Sequence, residues 1–221
     1  MLFDLRSRGR RRTVQAVYLG LAVILGLGLV LFGVGAGNGL GGLLNAFTGN
    51  GSGSNQNQVV NQQVNAALKQ IKADPNNAAA WSNLVQAHWT AAGEGNNYNS
   101  TTGTFTPSGK QELTGATQAW QHYLTLTNNP DPNLAVLAAR AYAAQSDYAG
   151  SASAWEVEIA ASPGQLKGYE CLAASAYAAK QTRKGDLALD KALSLAPAAQ
   201  RAQLKTEIQQ AKTQPTVAQS C

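Results

Sequence analysis

The chain has 221 residues, 17 Lys and Arg against 12 Asp and Glu, and a formal net charge of +5. Charged residues make up 13% and apolar residues 44%, which excludes a disordered polyelectrolyte and a coiled coil. The basic excess is local. Arg6, Arg8, Arg10, Arg11 and Arg12 stand against Asp4 alone, while the remaining chain carries 12 basic and 11 acidic residues. That near-neutral remainder argues against a nucleic-acid-binding domain.

The first predicted element is a membrane helix over 14–36, preceded by a basic segment over 1–13. No charged residue occurs from Thr13 to Leu68, and Val14 to Gly35 is almost wholly apolar. As a helix those residues would span about 33 Å, enough for a hydrocarbon core of roughly 30 Å. Inside lipid only a helix satisfies its own backbone, so the secondary structure is forced. The five arginines lie immediately before it, and the next positive charge is Lys69. Positive-inside logic therefore places the N-terminal side in the cytoplasm and everything beyond about residue 36 outside it. A cleaved signal peptide is the rival reading, with small residues at Val34-Gly35-Ala36. The apolar stretch exceeds the ~7–15 residues of a signal-peptide core, which favours an uncleaved anchor. Arg11-Arg12 is read as topology charge rather than as a twin-arginine export signal. Small residues four apart, such as Ala16/Gly20 and Ala22/Gly26, would let two such helices approach closely.

Residues 37–58 are rich in Gly, Asn, Ser and Gln and read as a flexible tether. From Val59 the texture changes to Ala-rich helices with apolar residues three and four apart. Val60, Val64, Leu68 and Ile71 mark a first helix ahead of Pro75. Three later segments align without gaps: WSNLVQAHWTAA from Trp81, LAVLAARAYAA from Leu134 and YECLAASAYAA from Tyr169. Each is followed by a second helix with a bulky residue, Trp120, Trp155 and Leu189 in turn. Trp155 to Leu189 is 34 residues, and so is Pro163 to Pro197. The first pair carries an excess of 19 residues, the polar, Gly-rich stretch 93–111, predicted as a loop. A loop of that length is either functional or a tolerated surface insertion, and the sequence leaves both open. Ala198 to Lys212 reads as a capping helix with Ala202, Ile208 and Ala211 inward, and 213–221 as a frayed tail.

A 34-residue helix–turn–helix period closed by a proline resembles the tetratricopeptide repeat family. Its pattern, W-x2-L-G-x2-Y followed by Ala, an aromatic and Pro, is matched by Trp81, Leu84 and Val85, by Leu134, Leu137 and Ala138, and by Tyr169, Leu172 and Ala173. His88, Ala141 and Ala176 occupy the family tyrosine position, with Trp89, Tyr142 and Tyr177 one residue later. The resemblance covers about 59–212 and implies an all-α, right-handed solenoid of stacked helical hairpins. It also implies a groove along the first helices that holds a peptide or partner helix. The groove positions would be Ser82, Gln86, Trp89, Tyr142, Lys167, Glu170 and Tyr177. The three aromatics among them would either form a ladder for a partner or pack in the core. A clamp for a chaperone's C-terminal carboxylate is not implied, since among Ser82, Gln86, Val136, Lys167 and Cys171 only Lys167 matches. Anchored bacterial proteins similar to this serve export, cytochrome maturation or envelope assembly.

The catalytic inventory is thin, and no enzyme, cofactor or metal is expected. His88 and His122 lack metal-ligand spacing. Gly103 to Lys110 resembles a phosphate loop but has five residues between its glycines instead of four, and Gln111 where Ser or Thr should stand. Glu156 and Glu158 fall on different faces of a helix. Cys171 reads as a small buried thiol. Outside the cytoplasm it could bond to Cys221, or Cys221 could pair between chains. The sequence thus points to a membrane-anchored scaffold for a protein or peptide partner. A self-associating structural protein, a homo-oligomer without a transient client, is the alternative. Trp81, as a buried repeat residue, is expected to cost roughly 3–5 kcal/mol when cut to Ala.

Overall fold

The structure is a computed structural model that describes residues 54–221, with side-chain environments from residue 61. The arginine cluster, the apolar segment 14–36 and the tether up to residue 53 lie outside the described residues. Among the described residues no helix is long and apolar enough to cross a membrane.

The described part is almost entirely helical. α1 (Ser54–Ala73), α2 (Ala78–Gly93), α3 (Pro107–Leu126), α4 (Pro132–Ala144), α5 (Tyr148–Ala161), α6 (Leu166–Ala178), α7 (Thr182–Leu195) and α8 (Arg201–Gln210) follow in sequence. Each packs mainly on its neighbours in the chain, so α2–α3, α4–α5 and α6–α7 form three consecutive helical hairpins. α1 covers α2, and α8 packs on both α6 and α7. α1 begins at Ser54, five residues before the predicted domain start.

Local chemistry sets the helix starts. The Asn77 side chain accepts from the Ala80 N–H, Asp131 from Asn133, and Asp147 from Gly150. Thr106 accepts from the Gly109 N–H, and Pro107 takes the first helical position, where its missing N–H costs nothing. That cap begins α3 inside the stretch predicted as loop. The rest of the stretch holds a short 3-10 turn, Gly95–Asn97, and a two-stranded antiparallel hairpin. β1 (Tyr98–Asn99) pairs with β2 (Thr104–Phe105), and Tyr98 faces Phe105 with ring centroids 5.0 Å apart. Asn97 ties the hairpin to the helices. Its amide donates to the Ala91 carbonyl, and its own carbonyl accepts from the Thr106 N–H. The same carbonyl sits where a Cβ on Gly109 would be, so close an approach admits only glycine.

The core is built largely of alanine, with Trp120, Trp155, Leu134, Leu172, Tyr142 and Tyr177 between the Ala faces. Small side chains let the helices approach closely, and a buried polar pair at such a contact, Ser151 and Ser175, satisfies itself at 3.0 Å. One contact recurs in all three hairpins: a ring on the first helix lies over a glycine on the second. A Cβ on Gly115 would fall 2.8 Å from the His88 ring, and one on Gly150 would fall 2.6 Å from Tyr142. Gly185 abuts Tyr177 still more tightly. The contact sets the first hairpin one residue out of step with the other two, whose rings are Tyr142 and Tyr177. In the first hairpin the ring is His88, not Trp89, and Trp89 packs instead on a satellite cluster of Ala92, Leu113, Ala116 and Ala141.

Trp81 differs from the sequence reading. It is half-buried, with its indole N–H donating to the Pro75 carbonyl at 2.8 Å and its ring against His122 at 4.0 Å. The fully enclosed tryptophan of that hairpin is Trp120. In the cap, Ile208 on α8 and Ala211 just beyond its end face inward as expected, but Ala202 is exposed and Leu204 takes its place against the core.

The segment predicted as a frayed tail is docked. Pro215–Ser220 forms a 3-10 strap across α6 and α4, with Ala218 fully buried. Gln219 donates to the Ala143 carbonyl, and the Arg140 Nε–H donates to the main-chain oxygen of Cys221 at 3.0 Å. A disulfide joins Cys221 to Cys171 across 50 residues. The strap explains why Cys171 to Ala178 are buried without a break: α6 is covered by α5, α7 and the strap at once. In the chain-entropy account, closing a loop of that length stabilises the fold by about 4 kcal/mol.

Candidate functional site

The seven predicted groove residues do not share one environment. Tyr142 and Tyr177 are buried at the glycine contacts, so they close their hairpins and form no open ladder with Trp89. The Tyr142 hydroxyl accepts from the Gln121 amide at 3.0 Å, and burial pushes its pKa above the ordinary phenol value. Tyr177 donates to Asp186 at 2.7 Å. Burial, and then the bond and charge of Asp186, push its pKa far up, while the same bond holds the Asp186 carboxyl low. Lys212 lies 4.2 Å from the Tyr177 ring and 3.6 Å from Asp186, so the capping segment locks the third hairpin. The corresponding polar contact in the first hairpin is His88 Nδ1 to Glu112, 2.6 Å.

Of the others, Gln86 is exposed and Ser82 half-buried on α2. Lys167 and Glu170 pair with each other at 3.6 Å, one turn apart on α6. Trp89 alone of the seven lines a cavity of about 690 Å³. That cavity is half-open and lies between α2, the β-hairpin, the start of α3, α4 and the strap. Tyr98, Phe105, Lys110, Arg140 and Gln219 contribute to its wall. The sequence points to none of these five as site residues, because the hairpin and the strap that bring them together read as loop and tail. The signals available were the aromatics Tyr98 and Phe105, which flank the hairpin turn, and the second cysteine.

A second cavity, of about 720 Å³, lies between α5, α6 and α7 and includes Ile159, Tyr169, Leu172 and Leu187. Leu187 is 64% exposed at its edge. Elsewhere, Glu158 is buried on α5 with one carboxylate oxygen lacking a partner, and burial raises its pKa. Gly168 leaves the room that this carboxylate occupies. Among the described residues no cluster of His, Cys, Asp and Glu could hold a metal ion. The phosphate-loop look-alike is divided, with Gly103 in the hairpin turn at φ 66° and Gly109 inside α3.

Comparison with known protein families and with curated proteins finds no match.

Proposed function

We propose that this chain is a single-pass, membrane-anchored scaffold similar to tetratricopeptide repeat proteins. Its helical domain stands outside the cytoplasm and holds a protein or peptide partner. The observation that carries the reading is the repetition of the helical hairpin, each copy closed by a ring on its first helix over a glycine on its second. Hairpins of this kind share one core with their neighbours and leave long faces open for a partner. The side of the membrane is argued from two independent features. The five arginines precede an uncharged apolar segment. The Cys171–Cys221 disulfide suits an oxidising compartment. Candidate roles are assistance to protein export, folding or envelope assembly. Photo-crosslinking from Trp89 and Thr104 positions in intact cells tests the scaffold. A discrete crosslinked protein is expected, and its absence at both positions counts against a client.

The exposed Leu187 beside its apolar cavity favours a second reading, self-association of the domain without a transient client. A solution mass of one chain for the domain freed of residues 1–53 would remove it.

A further inference from the structure

We infer that the strap is a thiol-operated latch: reduction of the Cys171–Cys221 bond lifts it off α4 and α6 and opens the face beneath to the partner. What enters rests on the scaffold reading; the lifting does not. The strap bridges the first helices of the second and third hairpins. Cys221 is bonded to Cys171 on α6, while Gln219 and the main-chain oxygen of Cys221 meet Ala143 and Arg140 on α4. A segment tied to the domain occupies such a face ahead of any free one, because the tether sets its effective concentration. The noncovalent hold is slight. Of the strap residues only Ala218 is buried, and Thr216, Gln219 and Ser220 are exposed. Gln219 and Arg140 bond through exposed side chains, so water can replace those bonds. One buried methyl and a few such bonds do not offset the entropy of ordering the segment, and the disulfide supplies the difference.

The hairpins keep their own contacts when the strap leaves. Tyr142 over Gly150, Ser151 with Ser175, and Tyr177 over Gly185 join α4 to α5, α5 to α6 and α6 to α7 without it. The two sulfurs also differ in access. Cys171 is fully buried, whereas Cys221 is half-buried in the wall of the half-open cavity beside Trp89. An incoming thiolate of a dithiol reductant therefore bonds to the Cys221 sulfur. The electron pair of the broken S–S bond goes to Cys171, which takes a proton as the strap lifts and water reaches it. The second thiol of the reductant then attacks the mixed disulfide and releases Cys221 as a thiol. In sum two electrons and two protons pass from the dithiol, which becomes a disulfide, to the two cysteines.

The test is amide hydrogen exchange read by mass spectrometry on the full chain in an uncharged detergent, oxidised, reduced with dithiothreitol, and as Cys221→Ser. In the oxidised chain the strap amides should exchange at least tenfold more slowly than in the other two. In the reduced chain and the variant they should come within about tenfold of an unstructured peptide, while α4 and α6 stay at least a hundredfold slower than that peptide. A strap equally protected after reduction overturns the latch. So does loss of protection in α4 and α6 together with the strap, which would make the disulfide a staple of the whole fold. In intact cells, Cys221→Ser should raise the yield of a client crosslinked at Trp89, beside the strap, at least threefold. Equal capture by both chains would overturn the latch and leave the scaffold reading intact. A strap that lifts with no client captured by either chain counts against the scaffold reading and not against the lifting.

Discussion

Removing the disulfide should reveal how much of the domain's stability the strap supplies. Cys221→Ser leaves Cys171 as a thiol that is fully buried on α6, a small apolar residue in an apolar place. What disappears is the covalent closure of a loop spanning 50 residues. That closure is worth about 4 kcal/mol through the unfolded chain's entropy. A domain with a total stability of roughly 5–15 kcal/mol cannot lose this unnoticed. Urea unfolding followed by tryptophan fluorescence measures it directly, since Trp120 and Trp155 are enclosed in the core. With a slope of about 2 kcal/mol/M, the midpoint should fall by about 2 M. Wild-type protein unfolded in the presence of a dithiol reductant should match the variant. A shift below about 0.5 kcal/mol by the same slope, or an oxidised and a reduced wild type that coincide, would refute the reasoning.

The glycine contacts make opposite predictions for two Gly→Ala changes. Gly185→Ala forces a methyl into the Tyr177 ring and should cost about 1–3 kcal/mol by calorimetry. Gly93→Ala meets nothing within 4 Å and should gain up to about 1 kcal/mol, so two shifts of the same sign would count against the contact. Trp120→Ala should cost about 3–5 kcal/mol, and half-buried Trp81→Ala clearly less in the same urea titration. Glu158 has a raised pKa in the folded state, so folding favours its protonated form. Its contribution is most favourable below the ordinary carboxylate range and is lost as pH rises through the raised value. The melting temperature of Glu158→Gln should therefore rise relative to wild type between pH 4 and pH 8, and a constant difference would contradict this.

The hairpin repetition was legible in the sequence because it depends on apolar period and spacing, which Trp155, Leu189, Pro163 and Pro197 display directly. The facing of the aromatics was not, since a helix advances 100° per residue and one position moves a ring from groove to core. The deciding partners were nonetheless present. Tyr142 precedes Gly150 by eight residues and Tyr177 precedes Gly185 by eight. His88 precedes Gly115 by 27, and that pair spans the 19-residue insertion. A ring and a glycine at constant spacing identify the inward face, where an aromatic count alone does not. The candidate cavity was illegible for a different reason. Its walls come from Tyr98 and Phe105 in a polar stretch and from Gln219 and Cys221 in a segment with no helical period. The bond to Cys171, between residues 50 apart, together with the Arg140 and Gln219 hydrogen bonds and buried Ala218, holds the strap on α4 and α6.

The central claim is an anchored domain that faces away from the cytoplasm, and impermeant-maleimide labelling of single-cysteine probes tests it most directly. With Cys171 and Cys221 bonded to each other, an added cysteine is the one thiol that reacts. In spheroplasts of a bacterial host, Ser100→Cys on the exposed hairpin turn should label before lysis, and Ser7→Cys only after it. Labelling of Ser7→Cys but not Ser100→Cys before lysis, or recovery of the chain in the soluble fraction, would contradict the account.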